Sequence, residues 1–125
     1  MVRSALIADD NAFIRRALCE MFNGEEDFDV CGEAANGQEA VAKAQQLHPD
    51  LIVLDLSMPV MNGLDTARVL KRLMPTVPLI MYSAFGDPYA EQQARLIGIS
   101  ALLSKSAPVA VLVGKARSLL TQTAT

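Results

Sequence analysis

The stretch His48-Pro49-Asp50-Leu51-Ile52-Val53-Leu54-Asp55-Leu56-Ser57-Met58-Pro59-Val60-Met61-Asn62-Gly63 decides the fold. Leu51 to Leu54 are apolar on both faces of an extended chain, the pattern of a strand inside a parallel sheet rather than one with a wet side. His48-Pro49 closes the helix before it, because the residue ahead of a proline is driven out of the helical region. Asp55 ends the apolar run with a charge, and the prolines, Asn62 and Gly63 beyond it make a loop.

Outward from this stretch, strand and helix alternate five times. Residues 2–8 read as the first strand, and Asn11 can cap the helix after it. Ile14, Ala17, Leu18, Met21 and Phe22 are placed on one inward helical face by their spacing, and Asn23-Gly24 stops the helix. Residues 27–34 read as an edge strand in which Phe28, Val30 and Gly32 share one face and alternate with Asp27, Asp29 and Glu33. Asn36-Gly37 is a turn, and Ala40, Val41, Ala44 and Leu47 form the inner face of the second helix. The third helix is expected at about 64–74, ended by Pro75 and Pro78. The fourth strand, 79–83, is again apolar on both faces. The fourth helix starts near Pro88 and ends at Gly98. A short fifth strand covers about 101–103. The fifth helix starts at Pro108 and carries Val109, Leu112, Val113, Ala116, Leu119 and Leu120 as its stripe. Such alternation gives an α/β, doubly wound, flavodoxin-like (βα)5 sheet, because right-handed crossovers place helices on both faces. The expected strand order is 2-1-3-4-5, with ligands at the carboxyl ends of the strands near the order reversal between the first and third.

At 125 residues the chain has the size of one domain, and 51% apolar content argues against disorder. The domain is expected to span 1–121, with a short tail at 122–125. A formal charge of −3 gives no general attraction to nucleic acid or to anionic membranes. No apolar stretch nears the roughly 20 residues needed to cross a bilayer. Met1-Val2-Arg3-Ser4 does not open a signal peptide, so a cytoplasmic location is the default. Cys19 and Cys31 are too few for a disulfide framework and read as small buried apolar residues.

Four strand ends carry chemistry: Asp9-Asp10, Asp55, Ser83 and Lys105. A parallel sheet gathers them into one pocket. Three carboxylates in one place require a proton or a cation among them. Oxygen donors without Cys or His point to Mg2+, with Mn2+ as the alternative, and disfavour zinc. A carboxylate beside such an ion can attack phosphorus, while Lys105 and the Ser83 hydroxyl balance phosphoryl oxygens. Taken singly, each residue has a plainer reading. Asp9-Asp10 suits the start of a helix, Ser83 a strand end, Lys105 and Arg15-Arg16 a solvated face, and His48 the surface.

Ala8-Asp9-Asp10, the run from His48 to Gly63, Ser83-Ala84 and Lys105, in this order and at strand ends, resemble the response-regulator receiver domain of two-component signalling. The resemblance covers essentially the whole chain. It implies that Asp55 is the phosphoacceptor and that Asp10 binds Mg2+ directly, with Asp9 bound directly or through water. The Ser57 main-chain carbonyl is the remaining protein ligand. Ser83 senses the phosphoryl group, Lys105 pairs with it, Ala84 leaves it room, and Gly63 permits the turn into the third helix. The implied donor is a sensor histidine kinase or His-phosphotransfer protein. An effector domain or partner protein reads the face made by the fourth helix, fifth strand and fifth helix, and a homodimer through the fourth and fifth helices stays open.

Two departures matter. Relatives often carry an aromatic switch residue three positions before the lysine, where this chain has Leu102; any signal is then expected through the loop before the fourth helix and that helix itself. Ser106 replaces a common proline after Lys105, so a trans bond is expected there. Ser57 and Phe85 flank the pocket, and the resemblance implies that such positions tune hydrolysis of the phosphoaspartate. Competing functions fit less well. A haloacid-dehalogenase-type phosphatase needs a second Asp where Ser57 stands, and it needs a cap. A flavin carrier needs a phosphate loop where Asp9-Asp10 would repel the phosphate. A scaffold independent of phosphorylation leaves the acidic site without a purpose, although Leu102 keeps that alternative open.

Overall fold

The structure, a computed structural model, describes residues 2–83 and 88–123. Its elements are β1 (Arg3–Ala8), α1 (Ala12–Asn23), β2 (Phe28–Ala34), α2 (Gly37–Leu47), β3 (Leu51–Asp55), α3 (Gly63–Leu73), β4 (Leu79–Ser83), α4 (Pro88–Ile97), β5 (Ala101–Ser104) and α5 (Val109–Thr123). All strand pairs are parallel, and the order is β2-β1-β3-β4-β5. This is the flavodoxin-like α/β architecture expected from the alternation.

Asparagine starts three of the helices. Asn11 accepts from the N–H groups of Phe13 and Ile14, Asn36 from Glu39, and Asn62 from Asp65, satisfying amide donors that have no partner within a first helical turn. His48 caps the end of α2 with a left-handed φ of 50°, its N–H on the Ala44 carbonyl, and it is exposed at the surface.

The period-two alternation of the strands splits the interior in two. Ala5, Ile7, Leu51, Val53, Ile80 and Tyr82 face α1 and α5, where Phe22 meets the Phe28 ring edge-on at 5.1 Å. Leu6, Ala8, Ile52, Leu54, Leu79 and Met81 face α2 and α3. Every residue of β3 and β4 is buried, as runs apolar on both faces require.

Several expectations change. β2 does not keep one alternating face, because its register with β1 slips between Ala5 and Leu6. Phe28 and Val30 pack towards α1 and α5, whereas a Cβ on Gly32 would lie 2.7 Å from the Leu47 side chain on the α2 side. A bulge inserts one residue and turns the strand over. On α1, Leu18, Cys19 and Phe22 are buried, but Ala17 and Met21 are exposed, since the sheet covers a narrower arc than the apolar pattern offers. Met58, in the loop after Asp55, is buried against the α2/α3 side. α3 starts at Gly63, and α5 continues to Thr123, into the segment expected as tail. No peptide bond among the described residues is cis, so Lys105–Ser106 is trans as expected. Ala84 and Phe85 lie outside the described residues.

Candidate functional site

Strand parity builds the site. Asp9 continues β1, Asp55 ends β3 and Lys105 follows β5, so these strands release charged side chains at one edge of the sheet. Each of Asp9, Asp10 and Asp55 offers one carboxylate oxygen, all within 4.8 Å of one another. The Lys105 Nζ lies 3.2 Å from Asp55 Oδ2 and 3.7 Å from Asp9 Oδ2. Ser83 is buried at the end of β4, pairs in register with Ser104, and accepts the Lys105 N–H on its carbonyl at 2.7 Å. A cavity of about 520 Å³ opens over Asp55, Ser57, Ser83 and Lys105. Asp9, Asp10, Asp55, Ser83 and Lys105 are therefore brought together at this edge.

Their environments differ. Asp10 is exposed. Asp9 has no exposed surface, and its carboxylate is held on both oxygens: Oδ1 accepts the Asn11 N–H at 2.8 Å, and Oδ2 accepts the Tyr82 hydroxyl at 2.5 Å. Asp55 is 1% exposed, with Oδ1 accepting the Ser57 N–H at 3.2 Å. Burial pushes the Asp55 carboxyl up to about 6; the Ser57 N–H pulls it down, the Asp9 charge raises it further, and Lys105 opposes that rise. Burial, together with the hydrogen bond to Asp9, raises the Tyr82 phenol far above its usual range, so it stays a proton donor. Three clustered carboxylates with no softer donor among them suit a hard, oxygen-seeking divalent cation.

Three supporting residues were not foreseen as part of the site. Arg15 is more than a solvated charge: its Nη1 donates to the Asp9 carbonyl at 2.7 Å, and its Nε to Glu33 at 3.1 Å. Tyr89, at the start of α4, lines the cavity over Asp55. Tyr82 is the deepest of the three. A tyrosine inside an otherwise apolar buried strand is the signal for it, since a buried phenol needs a partner for its hydroxyl. Leu102, expected at the switch position, is half-buried on β5 and packs on the α2/α3 side.

Comparison with known proteins gives a consistent picture. A family model described as the response regulator receiver domain matches residues 5–117. A protein-glutamate methylesterase/protein-glutamine glutaminase of Pyrococcus abyssi is 41% identical over 97 residues, covering 78% of this chain and 26% of that protein. The chain thus spans about a quarter of the length of the curated relatives it matches. Among solved structures, the response regulator domain of Thermotoga maritima CheB superposes with a TM-score of 0.90 at 28% identity, over 97% of this chain and 98% of that one. The CheX-CheY-BeF3-Mg+2 complex of Borrelia burgdorferi matches with a TM-score of 0.87 at 27% identity, over 94% of this chain and 88% of that one.

Proposed function

The chain belongs to the response regulator receiver domain family, and on that premise we propose that it accepts a phosphoryl group on Asp55 and switches a partner surface in response. One observation carries the reading. Asp55 is a buried carboxylate at the carboxyl edge of the sheet, clustered with Asp9 and Asp10 and 3.2 Å from the Lys105 ammonium. A nucleophile, an acidic nest and a cation gathered at one edge of the sheet are the parts that aspartyl phosphorylation requires.

The donor is the phosphohistidine of a sensor histidine kinase or His-phosphotransfer protein in the cytoplasm. An Asp55 oxygen forms the new bond to phosphorus. The bond from phosphorus to the donor imidazole nitrogen breaks, and the imidazole leaves with the electron pair and takes a proton from solvent. Asp10, Asp55 and the Ser57 carbonyl would hold Mg2+, or Mn2+ in its place, with Asp9 bound directly or through water. The donor set fits, being all oxygen. The ion supplies positive charge to the phosphoryl oxygens. Lys105 pairs with one phosphoryl oxygen, and the Ser83 hydroxyl donates to another. The three carboxylates of the unphosphorylated site keep anions out until a cation is bound.

Leu102 has no ring to bury, so the switch runs from Ser83 into α4. The effector reads the α4–β5–α5 face, and the similarity to methylesterase/glutaminase proteins favours an effector of that kind. The enzymatic activity in their names is not assigned to this chain. The test is incubation with acetyl phosphate or beryllofluoride and Mg2+, read by intact mass and by NMR. A phosphoryl-mass adduct absent in Asp55→Ala, with α4 amide shifts on beryllofluoride addition, is the expected result. No adduct in the unmodified chain would overturn the reading, and silent α4 resonances would overturn the route through α4.

A further inference from the structure

We propose that Tyr82 is a positioning residue of this site: its hydroxyl holds the Asp9 carboxylate and its ring holds the Lys105 ammonium. The inference rests on the phosphoacceptor reading of Asp55 and extends it to a residue of the strand core.

The geometry is specific. Asp9 has no exposed surface, so water cannot satisfy its carboxylate, and each oxygen depends on a protein donor. On Oδ2 the Tyr82 hydroxyl is at 2.5 Å, whereas Lys105 Nζ is at 3.7 Å. The same ammonium is 3.2 Å from Asp55 and 5.2 Å from the centre of the Tyr82 ring, within the range of a cation–π contact. With the hydroxyl in place, Asp9 keeps only the longer of the two ion pairs to Lys105, and the ammonium sits nearer Asp55. Tyr82 cannot drift from this position. Its Cα pairs in register with Asp55, and its carbonyl accepts the N–H of Leu56, the residue after the phosphoacceptor, at 2.9 Å. An apolar side chain would fill the same space in the core but would leave Asp9 Oδ2 with Lys105 as its nearest donor. Asp9 would then draw the ammonium off Asp55 and change its own placement towards Asp10.

Tyr82→Phe keeps the ring and removes only the hydroxyl. Three quantities are compared with the unmodified chain: the Mg2+ dissociation constant by calorimetry, the rate of adduct formation from acetyl phosphate at saturating Mg2+, and the unfolding temperature. The expected result is a dissociation constant about three- to tenfold weaker and a rate lower by a similar factor, the worth of one buried hydrogen bond. Tyr82→Leu, which also removes the ring beneath Lys105, lowers the rate further. A Phe variant that shifts only the unfolding temperature overturns the proposal, because a core-filling role alone would give that. If the Phe variant does not fold, 13C-tyrosine in the unmodified chain decides. The Tyr82 Cζ resonance, assigned with Tyr89→Phe, must move on Mg2+ addition, and a resonance that stays put overturns the proposal. An unmodified chain that binds Mg2+ but forms no adduct refutes the Asp55 reading, and the Mg2+ comparison still judges Tyr82. An adduct formed equally well by both chains, at equal Mg2+ affinity, refutes Tyr82 alone. No Mg2+ binding at all refutes both.

Discussion

Asp55 carries its charge where the fold does not favour one. Its carboxyl rises from 3.8 to about 6, with burial as the largest cause, so the folded chain holds this proton more tightly than the unfolded chain does. The sign follows from linkage: the stability tied to this proton is complete below about pH 4 and is lost as the pH rises through about 6. Asp55→Asn cannot ionise and escapes that loss. Without Mg2+, urea unfolding at pH 7.5 should find Asp55→Asn more stable by on the order of 2 kcal/mol, with the difference closing as pH falls towards 4. An Asn variant less stable at pH 7.5 would contradict the burial argument. The proposed function would explain the arrangement: the group that is costly to keep ionised is the proposed nucleophile, and a nearby cation would relieve the cost when the site is used.

At the scale of elements, the loop from β3 to α3 stores strain of its own. Val60 has φ 69°, and the Met61 N–H bonds back to the Pro59 carbonyl at 2.7 Å, a three-residue γ-turn with a β-branched residue in the left-handed region. Val60 is 76% exposed, so its side chain contributes little packing to offset this. Val60→Gly should therefore raise stability by about 1 kcal/mol, after allowance for glycine's extra freedom when unfolded. Thermal unfolding measures this, and a destabilised Gly variant would mean that the valine makes contacts that outweigh its backbone. Gly63 plays a different part in the same loop. A Cβ there would lie 2.4 Å from the Asp55 carbonyl oxygen and 2.7 Å from the Leu56 Cα. The glycine expected to ease the turn into α3 also lets the start of that helix press against the backbone of Asp55 and Leu56.

For the whole molecule, the sheet joins two cores whose strands end in one acidic edge. Repulsion among Asp9, Asp10 and Asp55 opposes the folded state, and a cation bound there would remove it. Mg2+ at about 100 times its dissociation constant should stabilise the chain by about 2.7 kcal/mol. Calorimetric unfolding with Mg2+ and then with excess chelator reads this. The gain should shrink sharply in Asp10→Asn, whose exposed carboxylate contributes to the site and little to the core. An equal gain in that variant would place the ion elsewhere. Arg117 pairs with Asp27 and Glu25 and lies over the Phe28 ring, tying α5 to the β2 edge at the end of the molecule away from the acidic site.

The sequence by itself determined the five strand–helix units, the parallel order and the meeting of Asp9, Asp10, Asp55, Ser83 and Lys105. Apolar periodicity is set within a few residues, and each of these side chains stands at or just beyond the end of a run whose direction the crossovers dictate. Tertiary structure alone decided the slip in β2 that turns Gly32 to the other face, the exposure of Ala17 and Met21, the burial of Met58 and the bond from Tyr82 to Asp9. That bond joins residues 73 apart in the chain. Such details depend on which surfaces elements distant in sequence offer one another once packed, and no local pattern encodes the width or register of that contact.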